Sequence, residues 1–194
     1  MKLFSSTSPV AISGQAKMGA LIVLSALTAT LFASTPASAQ PADIATHDSA
    51  KSKLPTQSII PLAAALEGAE AALKACEAGG HRVSVMVVDQ SGNEKILLRS
   101  DGAGPHTIAS SKGKAFTAAS LRRSTGELAA FIADKPELAE LRDMDPRILI
   151  LAGGLPILVD NEVIGGIGVG GAPSGAIDAQ CAQAGVDKIL KETN

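Results

Sequence analysis

The chain has 194 residues, 46% of them hydrophobic and 19% charged, yet it contains no Trp, no Tyr and only four Phe. That balance belongs to a globular protein, and the length fits one domain. With Lys plus Arg at 17 against Asp plus Glu at 19 there is no basic excess to track phosphates, and too few rings exist for unpaired bases to stack on, so no nucleic-acid partner is expected.

Lys2 and Lys17 are the only charges before Asp43, and an apolar run follows at residues 18–33 (MGALIVLSALTATLFA). A basic start, an apolar stretch, and Ala37 and Ala39 as small residues of an A-x-A cleavage site together predict a signal peptide over residues 1–39, cut after Ala39 on export to the periplasm or beyond. A retained anchor is the alternative. The strongly apolar part is about 15 residues long, however, short of the roughly 20 that span a bilayer. Residues 40–57 mix Pro, Ser, Thr, Asp and Lys without period and read as a flexible linker, in which His47 is a solvated side chain. The folded domain is then expected over residues 58–194.

Within that domain, apolar positions Leu62, Leu66, Ala69, Leu73 and Cys76 recur at helical spacing over residues 58–78, with Pro61 in the first turn and Gly79-Gly80 as the stop. Residues 82–89 alternate as a strand whose two faces are both largely apolar, which predicts a central position in a sheet. A turn at 90–93 leads to a second strand at 94–99. After the Gly/Pro-rich stretch 101–105, Thr107 is placed to cap a helix reaching about residue 122. That helix is rich in Ala, Ser and Gly, so a sheet, a partner subunit or a flat ligand could approach its backbone closely.

Ser124 with Glu127 forms a capping box, and Pro136 opens a short helix to about residue 142. Three strands are expected next, at 147–151, 155–159 and 162–169, the last two joined by an Asp160-Asn161 turn that tolerates left-handed backbone. Ser174 caps a final helix with the stripe Ile177, Cys181, Gly185 and Ile189. The predicted fold is α/β of the α+β kind, in the order αββααβββα: a five-stranded antiparallel sheet flanked by helices.

Several residues could carry chemistry. Cys76 and Cys181 are an even pair in a chain expected to reach an oxidising compartment, and the first and last helices on one face would bring them together as a disulfide. Gly166, Gly168 and Gly171 satisfy G-x-G-x-x-G, but no further strand with an acidic residue follows, so this is not a dinucleotide fingerprint. Glycines in a strand instead admit close approach of another backbone or of a ligand. His106, at the mouth of the small-residue helix, reads either as a solvated loop histidine or as a ligand to iron or another metal. Glu67/Glu70 and Glu137/Glu140 share helical faces at i, i+3, either as weak sites for a hard cation or as solvated surface. Lys112 and Lys114 could meet ligand carboxylates or simply face water. There is no Ser-His-acid arrangement and no H-E-x-x-H pair, so dedicated catalytic residues are not evident.

The segments VSVMVVDQSGNEKILLRSDGAGPHT, KGKAFTAASLRRSTGELA, LAGGLPILVDNEVIGGIGVGG and DAQCAQAGVDKI, in this order, resemble the GlcG/HbpS haem-degrading-domain family over about residues 58–191. The resemblance implies a profilin-like fold that assembles into homo-oligomers. It also implies haem or related tetrapyrrole binding and, for exported members, haem or iron handling outside the cytoplasm. Carried onto this chain, it points to His106, Thr107, Lys112, Lys114 and Phe116, and to Gly166, Gly168 and Gly170, as cofactor-facing. In that picture His106 ligates haem iron, Phe116 lies against the ring, and the lysines neutralise propionates. The expected function is sequestration or slow iron-promoted degradation of haem. The alternatives are a non-catalytic module for another small molecule or a corrinoid, reporting to a membrane sensor partner, and a purely structural oligomer.

Overall fold

A computed structural model describes residues 56–193; the expected signal peptide and nearly all of the expected linker lie outside the described residues. In chain order the elements are α1 (Leu62–Ala78), β1 (Ser84–Asp89), β2 (Glu94–Arg99), α2 (His106–Leu121) and α3 (Thr125–Asp134). A 3-10 helix (Pro136–Arg142) follows, then β3 (Gly154–Val159), β4 (Glu162–Gly170) and α4 (Gly175–Thr193). The strands form an antiparallel sheet in the order β2-β1-β4-β3. β1 is central and buried along nearly its whole length, as its two apolar faces predict. The β3–β4 turn is made by Asp160 and Asn161 at φ 50° and 64°, and the Ser124 hydroxyl accepts from Glu127 N as a capping box requires.

The sheet has four strands among the described residues rather than the expected five, because residues 147–151 do not join it. Their backbone groups are taken by side chains: Leu149 N donates to Thr117 Oγ1 at 2.7 Å, and Arg147 N to Asp145 Oδ1 at 2.8 Å. A segment tied down this way runs along α2 instead of pairing with a strand. Gly153, at φ 121°, then turns the chain into β3, a backbone conformation natural only for glycine.

The two faces of the sheet are covered differently. Val85, Val87, Ile157, Ile167 and Val169 form the main core with α1 and α4. The opposite face carries Met86 and Val88, which pack on Ala115 and Ala119 of α2. Gly166, Gly168 and Gly170 stand on that second face, opposite Val88, Met86 and Ser84 in register. A Cβ at Gly168 would fall on the carbonyl oxygen of Ser111, and one at Gly166 on that of Ala115. The glycines therefore let α2 lie directly on the sheet. The partner that the small residues of α2 accommodate is this sheet.

α1 and α4 are equally close: Gly68 makes room for Ile189, and Gly185 for Gly68 and Ile167. The Cys76–Cys181 disulfide joins them, with Cα atoms 5.5 Å apart. About one turn before Cys181, Asp178 ties α4 to α2. Lys114 Nζ donates to Asp178 Oδ2 at 2.7 Å and to Val169 O at 2.9 Å, and Asp178 Oδ1 accepts from Ala172 N at 3.0 Å. Both side chains are almost wholly buried.

Candidate functional site

The outer face of α2 and the irregular segment 146–149 enclose an open groove of about 490 Å³, within the size range of small-molecule sites. Ala109 and Gly113 form its helical side, and Pro146, Ile148 and Leu149 its opposite wall. The groove stays narrow at Gly113 because a Cβ there would meet Leu149 Cβ at 2.9 Å. His106 lies at one end, on the first residue of α2, with its ring folded over Gly104. Lys112 and Arg147 also line the groove, and among the described residues no acidic one does.

Lys112 is about 9 Å further along the helix from His106, at 1.5 Å per residue, and pairs with Glu94 of β2. Arg147 is held more firmly. Its guanidinium donates from Nε and Nη2 to the two carboxylate oxygens of Asp145, at 2.9 and 2.8 Å, and lies 4.0 Å from the centroid of the Phe116 ring. These hydrogen bonds, from side chain and backbone of Arg147, hold the Asp145 carboxyl well below the ordinary range, at about 2. A second concavity, of about 540 Å³, lies at the turns holding Gln90, Ser91 and Asn161, but is bordered mainly by polar residues.

Only part of the set expected from the sequence converges here. His106 and Lys112 line the groove. Thr107 does not cap the helix: it is buried in the first turn, donating to Gly104 O at 2.7 Å and bonded to Ser84 Oγ at 2.7 Å. Lys114 is turned inward to Asp178 and cannot reach a ligand carboxylate at the surface. Gly166, Gly168 and Gly170 face α2, not a ligand. Phe116 is 7% exposed and is covered by the Arg147 guanidinium, which stands where a ligand ring was expected.

Glu67 pairs with Lys188 at 2.7 Å and Glu70 with Lys74 at 3.2 Å. Among the described residues no cluster of three or more acidic, His or Cys side chains is placed to hold a metal. Hydrogen bonds that Lys188 donates to Glu192 and then to Glu67 raise its pKa, so the Glu67 and Glu70 carboxylates are occupied by lysines. Arg147 is the groove residue that the sequence reading missed. The signal available was Asp145-Pro146-Arg147, in which an acid two residues before an arginine can fold back on it across a proline.

This combination, an antiparallel sheet with two helices on one face and a glycine-seated helix beside an apolar groove on the other, defines an α/β domain with a candidate small-molecule site. The family described as "Haem degrading protein HbpS-like" matches residues 60–187, and the chain belongs to this family. HbpS of Streptomyces reticuli, solved as a double mutant, is 41% identical, with 80% of this chain and 97% of that chain covered at a TM-score of 0.65. The protein ORFY of Klebsiella pneumoniae is 32% identical, covering 71% of this chain and 95% of its own, at a TM-score of 0.67. PduOC, solved as a haem complex, is 24% identical over 68% of this chain and 95% of its own at a TM-score of 0.63; at that identity the likeness shows the fold alone. Family membership ties the function of the chain to haem.

Proposed function

We propose that this is an exported haem-binding protein that holds haem in the groove between α2 and residues 146–149, sequestering it or slowly degrading it. The observation that carries the reading is the meeting, in one groove, of an exposed imidazole, apolar walls and a cationic rim. The residues fit the group. His106 would ligate the iron, and Ala109, Pro146, Ile148 and Leu149 would exclude water from the flat face of the macrocycle. When bound, haem iron supplies the oxygen chemistry; the chain's own residues bind, orient and exclude solvent.

Export is supported by the leader-like first 39 residues and by the Cys76–Cys181 bridge, a bond that persists in oxidising compartments. Self-association belongs to the same reading and is supported by the exposed apolar side chains Ile59, Leu62 and Leu66 at the start of the domain. A membrane-borne partner is not part of it.

The test is a titration of the purified domain with haem. A saturable Soret band at micromolar haem is expected, and His106→Ala should shift that band and weaken binding at least about tenfold, a loss of about 1.4 kcal/mol. A wild-type protein with no saturable band refutes the haem reading, and an unchanged spectrum in the variant removes His106 as ligand.

A further inference from the structure

Arg147 combines three features that no other groove residue shares. Its guanidinium is fixed from one edge by both oxygens of Asp145 and from one face by the Phe116 ring. Its side chain is nevertheless 55% exposed and borders the apolar floor. The Asp145 bonds use Nε and Nη2, which leaves the Nη1 edge of the planar fork for an acceptor arriving from the groove. Lys112, the other rim cation, already has Glu94 beside it and rotates on a flexible stem.

We propose that Arg147 is the specificity-determining residue of the groove, selecting a flat apolar ligand that carries a carboxylate on its edge. The proposal rests on the groove being the ligand site, and it holds whether or not iron is ligated there. Asp145 neutralises much of the guanidinium charge, so selection comes from a pre-oriented, charge-assisted hydrogen bond more than from long-range attraction. Because both neighbours hold the guanidinium in place before the ligand arrives, little side-chain freedom is lost on binding. The apolar wall beside the guanidinium penalises a ligand whose edge cannot accept that hydrogen bond.

The experiment compares metal-free protoporphyrin IX with its dimethyl ester, followed by porphyrin fluorescence, so that His106 and iron play no part. The wild-type domain is expected to prefer the diacid by about tenfold, the size of a charge-assisted bond discounted for partial exposure. Arg147→Met, which still covers Phe116, should reduce the preference to about twofold or less. Arg147→Gln should do the same, and a retained thermal midpoint shows that the loss is not one of folding. Lys112→Met should cost less of the preference than either Arg147 variant. The proposal is overturned if Arg147→Met keeps the wild-type ratio, if Lys112→Met is the change that abolishes it, or if the wild type binds neither porphyrin or both equally. Porphyrin discrimination without a haem Soret band would sink iron ligation while leaving Arg147 in its role; a Soret band without discrimination does the reverse.

Discussion

Replacing Lys114 by Met would keep the length of the side chain while deleting the charge that Asp178 faces. Lys114 is 1% exposed and Asp178 is 3% exposed. The variant therefore strands a buried carboxylate, which keeps only its bond from Ala172 N, and leaves Val169 O without its 2.9 Å donor. Breaking a buried pair from one side costs about 3–5 kcal/mol, far more than the pair contributes over a neutral replacement. At roughly 3 °C per kcal/mol for a domain of this size, the expected fall in Tm is about 10 °C or more. Urea unfolding followed by circular dichroism measures the loss, with Cm decreasing and the slope unchanged. The double variant Lys114→Met with Asp178→Asn removes both charges while keeping an acceptor for Ala172 N, and should recover to within about 2 kcal/mol of wild type. Ligand affinity of the folded single variant, measured well below its Tm, should be unchanged because Lys114 lies inside the domain. The reasoning fails if Lys114→Met costs less than about 1 kcal/mol, if the two substitutions add, or if ligand affinity collapses in a variant that remains folded.

Reducing the Cys76–Cys181 bridge, which joins residues 105 apart in sequence, should lower stability by roughly 4 to 5 kcal/mol on the chain-entropy account; a Tm unaffected by reductant would contradict it. Gly168→Ala sets a methyl group against the backbone of α2 and should cost about 1–3 kcal/mol by overpacking, read as a lower Cm, whereas a neutral result would mean that α2 can lift away freely. Asp145 should titrate near pH 2 in the folded domain and higher in Arg147→Met, though still below its ordinary 3.8 because the backbone N–H of residue 147 remains a donor, observed by carboxyl carbon NMR. The sign follows from a depressed acid: the Asp145–Arg147 contact is fully present above the ordinary value and is lost only as pH falls through about 2.

Much of the fold was legible because its signals are local. The Ser124–Glu127 box, the Asp160-Asn161 turn, the two apolar faces of β1 and the stripe on α4 each involve a few neighbouring residues, and each holds in three dimensions. The error at 147–151 has the opposite origin. Its short apolar run resembles a strand, but the Thr117 hydroxyl, 32 residues earlier, takes the amide of Leu149.

The candidate site was less legible for the same reason. Lys112 and Lys114 look interchangeable in the sequence, yet positions two apart on a helix point in different directions, so one reaches the groove and the other is buried against Asp178, 64 residues away. The glycines of β4 announced that something approaches closely; only the stacking of α2 on the sheet shows that the visitor is a helix.

Composition, the pair of cysteines and most of the order of helices and strands are thus properties of the chain by itself, because each depends on residue type or short-range period. Which cations face a ligand, which glycines face a helix, and the role of Arg147 between Asp145 and Phe116 were decided by tertiary packing, since a side chain's partners across the domain depend on how whole elements stack.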